Sequence, residues 1–289
     1  DSRDISERDP FWLKGKGDDF FRAKDYKSAI SAYSSAYEID EGMTAALSNR
    51  AACHLLLSSF DFCIKDCNTI LERVPLVTAA ERNLMTAVQM KDDAKNMKLR
   101  MKILVRRGSA YCKLGKYPEA IQDYEDSIRL AGSHPALSKS LELDPLWDDL
   151  TMMRKLQSCS QLKTEADEHF RQGDVETAYD KYSKALAEEP GFVSILSNRA
   201  SVLLAMGKWS DAIDDCSMAL SLLGVHGAKD TAVQPVGPVP QKHTARFNAW
   251  AVKTLARRGT AYCKRKDYEK ALADFEDGLK LDHENASLF

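Results

Sequence analysis

The sequence has 289 residues, and its 41 Lys and Arg nearly cancel its 43 Asp and Glu to give a formal net charge of −2. This balance excludes a general electrostatic attraction to nucleic acid or to an anionic membrane, so recognition by charge has to be local. No apolar run approaches the roughly 20 residues that span a bilayer and the first residues are polar and acidic, so a soluble intracellular protein is expected.

The first predicted element is a pair of antiparallel helices that begins near Leu13. Small and apolar residues recur on one face of each helix, where small residues allow close crossing and aromatic residues fill the gaps beside them. These residues are Leu13, Gly17, Phe20, Ala29, Tyr33 and Ala36. Two further pairs follow, the first containing the phrase LSNRA from Leu47 and the second the phrase RRGSAYCK from Arg106. An insert at about 76–100 separates them, and its helix-forming composition predicts longer helices that project from the stack.

The segment 143–161 is predicted to be a helix that caps the third pair and leads into the fourth. Leu146, Leu150, Met153 and Leu156 share one face of it. A terminal repeat has to cover its open apolar side, which is the role assigned to this helix.

The second half, 162–289, repeats the first in register. LKTEADEHF from Leu162, LSNRA from Leu196 and RRGTAYCK from Arg257 match the three pairs of the first half. A Pro- and Gly-rich insert at about 224–245 lies where the first half has its helical insert, and this composition predicts a mobile loop. The sequence therefore contains six helix pairs in two modules, 1–142 and 162–289.

The unit length and spacing resemble the tetratricopeptide repeat, a helix pair of about 34 residues. This resemblance implies an all-α fold, a tetratricopeptide-repeat superhelix of six helix-turn-helix repeats in two three-repeat modules. The first helix of every repeat would line a concave groove. Polar residues on that groove have no packing role, so function is sought there.

Three-repeat modules of heat-shock co-chaperones, which this sequence resembles, bind the extreme C-terminal peptides of the seventy- and ninety-kilodalton heat-shock chaperones through a clamp for two carboxylates. The clamp uses Lys and Asn from the first repeat, Asn from the second, and Lys and Arg from the third. The matching residues here are Lys14, Asp18, Asn49, Lys102 and Arg106 in the first half, and Lys163, Asp167, Asn198, Lys253 and Arg257 in the second. Lys, Arg and Asn donors suit carboxylates because they form charge-assisted hydrogen bonds.

The two aspartates depart from this pattern, since they stand where the family has an amide donor. An ionised carboxylate only accepts hydrogen bonds, so Asp18 and Asp167 should repel an incoming carboxylate. Each also lies four residues after a lysine on its helix and can pair with it. Weaker or differently ordered binding is therefore expected. By contrast, Arg107 and Arg258, one position beyond the clamp arginines, are predicted to point elsewhere.

The first half also resembles the C-terminal repeats of the dynein axonemal assembly factor four family. The stretches that carry the resemblance are DPFWLKGKGDDFFRAKDYKSAISAYSSAY, LSNRAACHLLL and KILVRRGSAYCKLGKYPEAIQDYEDSI. It implies a cytoplasmic co-chaperone, acting also at the ciliary or flagellar base, with dynein arm subunits or other assembly factors as partners. A p23-like domain precedes the repeats in that family, and the abrupt acidic start predicts that this sequence is part of a longer protein.

The sequence argues against two other function classes and leaves a third one open. An enzyme is not predicted, because the histidines are dispersed and no nucleotide-binding, hydrolase or metalloprotease motif occurs; Asp214 and Asp215 are interpreted as helix-end or solvated charges. The seven cysteines are interpreted as reduced core thiols, so neither cofactor nor metal is expected. RNA binding ranks last because the basic runs lack interleaved aromatics. A scaffold whose grooves bind internal helices or loops stays open as the alternative to tail binding.

Overall fold

The computed structural model describes residues 9–133, 144–225 and 232–281. These residues form thirteen helices and no strand beyond one isolated bridge between Phe192 and Val236. The helices are α1 Pro10–Arg22, α2 Tyr26–Ile39, α3 Thr44–Leu56, α4 Phe60–Arg73, α5 Ala79–Arg82, α6 Ala87–Lys113, α7 Tyr117–Ser133, α8 Asp144–Arg171, α9 Val175–Glu188, α10 Val193–Ala205, α11 Trp209–Leu223, α12 Ala245–Lys264 and α13 Tyr268–Leu281. The predicted all-α fold is confirmed.

The helix starts follow from local capping. Asp25 and Asp174 stand immediately before α2 and α9, and the carboxylate of each accepts a hydrogen bond from the backbone N–H three residues later. Each aspartate thereby satisfies one of the backbone donors that a helix start leaves unpaired. Thr86 and Gln89 form a reciprocal capping box at the start of α6.

Glycines allow the two helices of a repeat to cross closely, as the sequence predicted. A Cβ atom added to Gly17 would lie 2.6 Å from Cε1 of Tyr33, and one added to Gly108 would lie 2.8 Å from Cδ2 of Tyr124. Gly259 meets the ring of Phe275 in the same way. Each ring therefore occupies the volume that a larger residue would need.

Helix α1 offers a matched pair of glycines to test this packing. No atom lies within 4 Å of a Cβ added to Gly15, so Gly15→Ala should raise the free energy of unfolding by about 0.5–1 kcal/mol, as is usual inside helices. Gly17→Ala should lower it by about 1–3 kcal/mol, because the Tyr33 ring has to move. Urea unfolding of both variants measures these two opposite changes in the free energy of unfolding. A stabilised Gly17→Ala variant would contradict the close crossing of the helices.

The cysteines pack mainly inside the helix pairs. All seven are free thiols, and five of them are buried: Cys53, Cys63, Cys67, Cys159 and Cys216. Cys63 and Cys67 lie in one core cluster with Leu47 and Ile70. The predicted core position of these five side chains is confirmed.

The first insert forms the short helix α5 and the N-terminal turns of α6, so the longer helix is confirmed. One face of the insert is covered by its own module, and its projection from the stack stays a prediction. Met97 and Met101 are buried in a cluster with Ala131 near the end of α7. Arg82 on α5 forms a buried ion pair with Asp93 on α6, with 2.8 Å between Nε and Oδ2. Apolar and ionic contacts therefore hold this insert against its own module.

The second insert contains no helix in its described residues 232–244. The amide of Val236 donates to the carbonyl of Gly191 at 3.0 Å. Gly237 has a φ of +75° and lies against the Phe192 ring, 2.8 Å from Cζ measured from an added Cβ. These contacts attach the insert to the turn between α9 and α10, and its mobility stays a prediction.

The chain divides into two compact units between Met153 and Arg154. This boundary falls inside α8, which covers most of the predicted connecting segment 143–161 and continues into the first helix of the fourth repeat. In the first unit, Leu150 and Met153 pack against Ala120 and Tyr124 of α7. They cover the third repeat as the sequence predicted; the limits of the domains themselves stay predictions.

None of the described helices combines the length and the apolarity that a membrane crossing requires.

Candidate functional site

The candidate site in each unit is built on the first helices of three successive repeats. In the first unit these are α1, α3 and α6, and in the second they are α8, α10 and α12. The two units repeat the same contacts.

Asp167 on α8 accepts hydrogen bonds from three side chains. Lys163 Nζ lies 2.6 Å from Oδ2, and Asn198 Nδ2 on α10 lies 2.9 Å from Oδ1. The Tyr182 hydroxyl on α9 donates to the same Oδ1. The ion pair with Lys163 is the one that the sequence predicted, and Tyr182 and Asn198 complete a set of donors around one carboxylate.

Asp18 in the first unit has the same three partners. Lys14 Nζ lies 2.6 Å from Oδ2, while the Tyr33 hydroxyl and Asn49 Nδ2 lie 2.7 and 2.9 Å from Oδ1. The Leu-Ser-Asn-Arg-Ala phrase thus supplies, in both units, an amide that binds an aspartate of the preceding repeat.

These hydrogen bonds stabilise the ionised aspartates. Burial by itself raises the pKa of Asp167, but the bonds from Lys163, Tyr182 and Asn198 outweigh it, and the pKa lies below its ordinary value of 3.8. Asp18 has a lowered pKa for the same balance of causes. Both aspartates therefore carry a negative charge at neutral pH, next to the predicted clamp.

The clamp arginines bind neutral oxygens. Arg257 on α12 donates through Nη1 to the carbonyl and the hydroxyl of Ser197, at 2.8 and 2.7 Å. Arg106 on α6 donates to the same two atoms of Ser48, with 3.1 Å to the hydroxyl. Burial lowers the pKa of both arginines, and no bond to a carboxylate offsets it. Each guanidinium keeps its full positive charge without an acidic partner in the described part of its unit.

The clamp lysines have exposed side chains. Within the described residues, neither Lys102 nor Lys253 forms a hydrogen bond or an ion pair with the protein. The pKa of Lys253 is lowered, first by the repulsion of Arg257 and then by partial burial. The pKa of Lys102 is also lowered, first by partial burial and then by the repulsion of Arg106. Each lysine therefore adds a second cation, one helical turn from the arginine, to which no described carboxylate is bonded. Asp167 acts on Lys253 only as a nearby charge that partly offsets the lowering of its pKa.

A pocket of about 410 Å³ in the second unit brings these groups together. Its lining residues are Asp167, Phe170, Arg171, Tyr182, Asn198, Ser201, Lys253 and Arg257. Four of the five residues predicted for this half thus line one pocket, and the fifth, Lys163, is bonded to Asp167 in its lining. The binding of a peptide in this pocket stays a prediction.

The neighbouring arginines point away from the clamp residues, as predicted, and bind aspartates of their own. Arg258 forms a two-bond ion pair with Asp274, at 2.9 and 2.6 Å, and Arg107 forms one with Asp123 at the same distances. Arg199, from the second Leu-Ser-Asn-Arg-Ala phrase, binds Asp215 in this way at 2.8 and 2.7 Å. The interpretation of Asp215 as a solvated or helix-end charge is therefore wrong, because it is buried between helices.

The sequence did not reveal two kinds of residue at the site. Tyr33 and Tyr182 are core residues by their spacing, yet their hydroxyls reach the aspartates fifteen residues before them. Ser48 and Ser197 accept from the clamp arginines. The signal available in the sequence was their spacing, because each tyrosine and each serine lies the same number of residues before Asn49 or Asn198 in both halves.

Comparison with known proteins identifies the repeats. Tetratricopeptide repeat family models match residues 102–134, 163–224 and 252–285. The solved tetratricopeptide domain of P58(IPK) is similar over 96% of this chain and 62% of that one, with 16% identity and a TM-score of 0.54. The chain therefore contains tetratricopeptide repeats and has their fold.

Two kinds of curated relative are similar in sequence. The Hsp70-Hsp90 organizing protein of Triticum aestivum is 24% identical over 281 residues, which cover 95% of this chain and 41% of that protein. Dynein axonemal assembly factor 4 of Pongo pygmaeus is 37% identical over 129 residues, 44% of this chain and 27% of that protein. The chain thus spans less than half of either relative.

Proposed function

We propose that this tetratricopeptide-repeat chain is the interaction module of a chaperone adaptor, whose two grooves bind the acidic C-terminal tails of the seventy- and ninety-kilodalton heat-shock chaperones. The observation that carries the proposal is the 410 Å³ pocket in which Asn198, Lys253 and Arg257 meet. Similarity to an Hsp70-Hsp90 organizing protein over 95% of the chain supports it. No catalytic activity is proposed.

The charge of the site supports an acidic ligand. Lys163, Lys253 and Arg257 are three cations, whereas Asp167 is the one anion bonded among them, so the group keeps two positive charges. Charge-assisted hydrogen bonds to a carboxylate contribute on the order of 1.5–3 kcal/mol each. A flexible acidic tail can gain enough from such bonds to offset the entropy lost on ordering.

A role in the assembly of axonemal dynein arms is the finer proposal. It is supported by 37% identity to a dynein axonemal assembly factor over 129 residues, 44% of this chain. Dynein arm subunits or other assembly factors would then be the clients or partners of the adaptor. The cytoplasmic location expected from the sequence, including the ciliary or flagellar base, stays a prediction.

A scaffold that binds internal helices or loops is the second candidate function. One observation favours it: Lys163, Tyr182 and Asn198 already bind a carboxylate of the chain itself, so the donors for a terminal carboxylate are partly engaged. Such a scaffold would need no acidic tail.

Calorimetric titration of the whole chain tests these alternatives. The peptide Met-Glu-Glu-Val-Asp with a free C-terminus should bind, whereas a counterpart without carboxylates, Met-Gln-Gln-Val-Asn amide, should bind at least about tenfold more weakly, because one lost charge-assisted bond suffices for that ratio. Equal affinity for the two peptides, or no binding of either below about millimolar concentration, would contradict tail recognition and favour the scaffold.

A further inference from the structure

The donors of each groove form two sets, called here the first and second carboxylate positions, and the protein supplies a carboxylate to the first set only. Around Asp167, three donors converge on one carboxylate, and one of them is the cation Lys163. The side chains of Lys163 and Asp167 are only 25% and 31% exposed, so this pair is partly screened from water. The position is occupied by a group that the chain supplies, in the ionised form.

The second position has two cations, and among the described residues no carboxylate is bonded to either of them. Arg257 donates hydrogen bonds to two oxygens of Ser197. Lys253 has no hydrogen-bond or ion-pair partner among the described residues of the unit. The adjacent Arg258 shows the contrast, because Asp274 neutralises it through two bonds. An unneutralised lysine and arginine on one face of a helix favour the binding of a single external carboxylate.

A ligand that brings two neighbouring carboxylates meets an obstacle at the first position. Its second carboxylate would face Asp167, which only accepts hydrogen bonds and carries the same charge. To enter, it would have to displace Asp167 from Lys163, Tyr182 and Asn198, and leave that half-buried aspartate without its donors. The second carboxylate of such a ligand therefore adds little to its affinity.

We propose that each groove recognises one carboxylate of its peptide, through Lys253 and Arg257 or Lys102 and Arg106, because Asp167 and Asp18 occupy the other carboxylate position. This inference rests on the proposed function and narrows the ligand class. The groove takes peptides that end in one accessible carboxylate, from either the chain terminus or an acidic side chain, as well as peptides that present both.

Four peptides distinguish these sources on the whole chain. The parent, Met-Gln-Gln-Val-Asp, carries the terminal and the aspartate carboxylate and no others. Its C-terminal amide carries only the side chain, Met-Gln-Gln-Val-Asn carries only the terminus, and Met-Gln-Gln-Val-Asn amide carries neither. We expect the better of the two single-carboxylate peptides to bind within about threefold of the parent peptide. The peptide with neither group should bind at least tenfold more weakly than the parent.

A matched variant should introduce a preference for peptides with two carboxylates. Asp18→Asn with Asp167→Asn keeps the side-chain shape, removes the internal anion and restores an amide donor, so the parent peptide should then bind at least tenfold more tightly than either single-carboxylate peptide. Thermal unfolding checks whether the variant is folded. If it is not folded, the affinities of the native chain for the four peptides test the proposal by themselves.

The outcomes separate this proposal from the function on which it rests. If both single-carboxylate peptides lose tenfold or more on the native chain while the parent binds, the chain reads two carboxylates and the proposal is wrong, although tail binding stands. If no peptide binds the native chain, the proposed function fails and this proposal fails with it. If the parent binds only the asparagine variant, the aspartates block the groove instead of sharing it, which also overturns the proposal.

Discussion

Replacing Asp215 with alanine is expected to lower the free energy of unfolding of the second unit by about 3–5 kcal/mol. This is the usual cost of removing one partner of a buried ion pair, because the other charge stays buried without compensation. The side chain of Asp215 is 8% exposed and that of Arg199 is 21% exposed, so water cannot readily replace the lost carboxylate.

The expected loss is large because Arg199 joins three helices. Its Nε and Nη2 bind both oxygens of Asp215 on α11, and its Nη1 lies 3.2 Å from the hydroxyl of Ser183 on α9. Asp215→Ala leaves two guanidinium donors without acceptors in a packed interface. The substitution therefore affects α9, which is the second helix of one repeat, and both helices of the next repeat, α10 and α11.

Two controls separate the buried charge from packing. The double variant Arg199→Met with Asp215→Leu removes both charges, and we expect it to lose much less than Asp215→Ala, since apolar replacement of a buried pair is often neutral. Asp277→Ala removes one partner of the exposed pair with Lys280, and it should cost less than about 1 kcal/mol.

Urea unfolding followed by circular dichroism measures the global change, and hydrogen exchange of the α9, α10 and α11 amides localises it to the second unit. A loss below about 1 kcal/mol for Asp215→Ala, with unchanged exchange in these helices, would show that water or another group compensates Arg199.

The repeats were predictable because their determinants are local. Gly17 and Tyr33 belong to one helix pair, and the spacing of small and aromatic residues within that pair dictates how its helices cross. The same spacing recurs in each unit, so the number of repeats and the faces that are buried could be read from the sequence. The Lys14–Asp18 ion pair was also predictable, since residues four apart on a helix are neighbours.

The partners of the charged side chains were less accessible to sequence reasoning. Arg199 and Asp215 lie on different helices, and a charged residue next to polar neighbours is usually solvated, so nothing local indicated that the crossing of α10 and α11 would bury both. The first insert shows the same limit. Its composition predicts a helix, but the packing of Met97 on the end of α7 depends on the direction that the helix takes after Thr86.

Charge reversal of both clamp lysines, Lys102→Glu with Lys253→Glu, is expected to weaken binding of the Met-Glu-Glu-Val-Asp peptide by more than about 100-fold. Each substitution removes a charge-assisted hydrogen bond of about 1.5–3 kcal/mol and places a carboxylate opposite the ligand, where like charges cost several kcal/mol more. At about 1.4 kcal/mol for each factor of ten, the lost bond and the added repulsion together exceed two factors of ten.

The fold should tolerate these changes, because both lysines are exposed and neither has a partner within the described residues. Substitutions at such positions usually change the free energy of unfolding by no more than about 0.5 kcal/mol. A loss of binding without a loss of stability therefore reports on the groove itself. In addition, native binding should weaken as salt rises, since screening reduces the attraction between exposed charges.

Lys113→Glu with Lys264→Glu is the matched control. These exposed lysines lie on the same helices, α6 and α12, eleven residues beyond Lys102 and Lys253 and thus about 16 Å along the helix axis. The control makes the same change in net charge beyond a Debye length of about 8 Å at physiological salt, so it should alter the affinity by less than about threefold. If both double variants weaken binding equally, the peptide responds to the general charge of the chain; if only the clamp variant does, Lys102 and Lys253 contact the ligand.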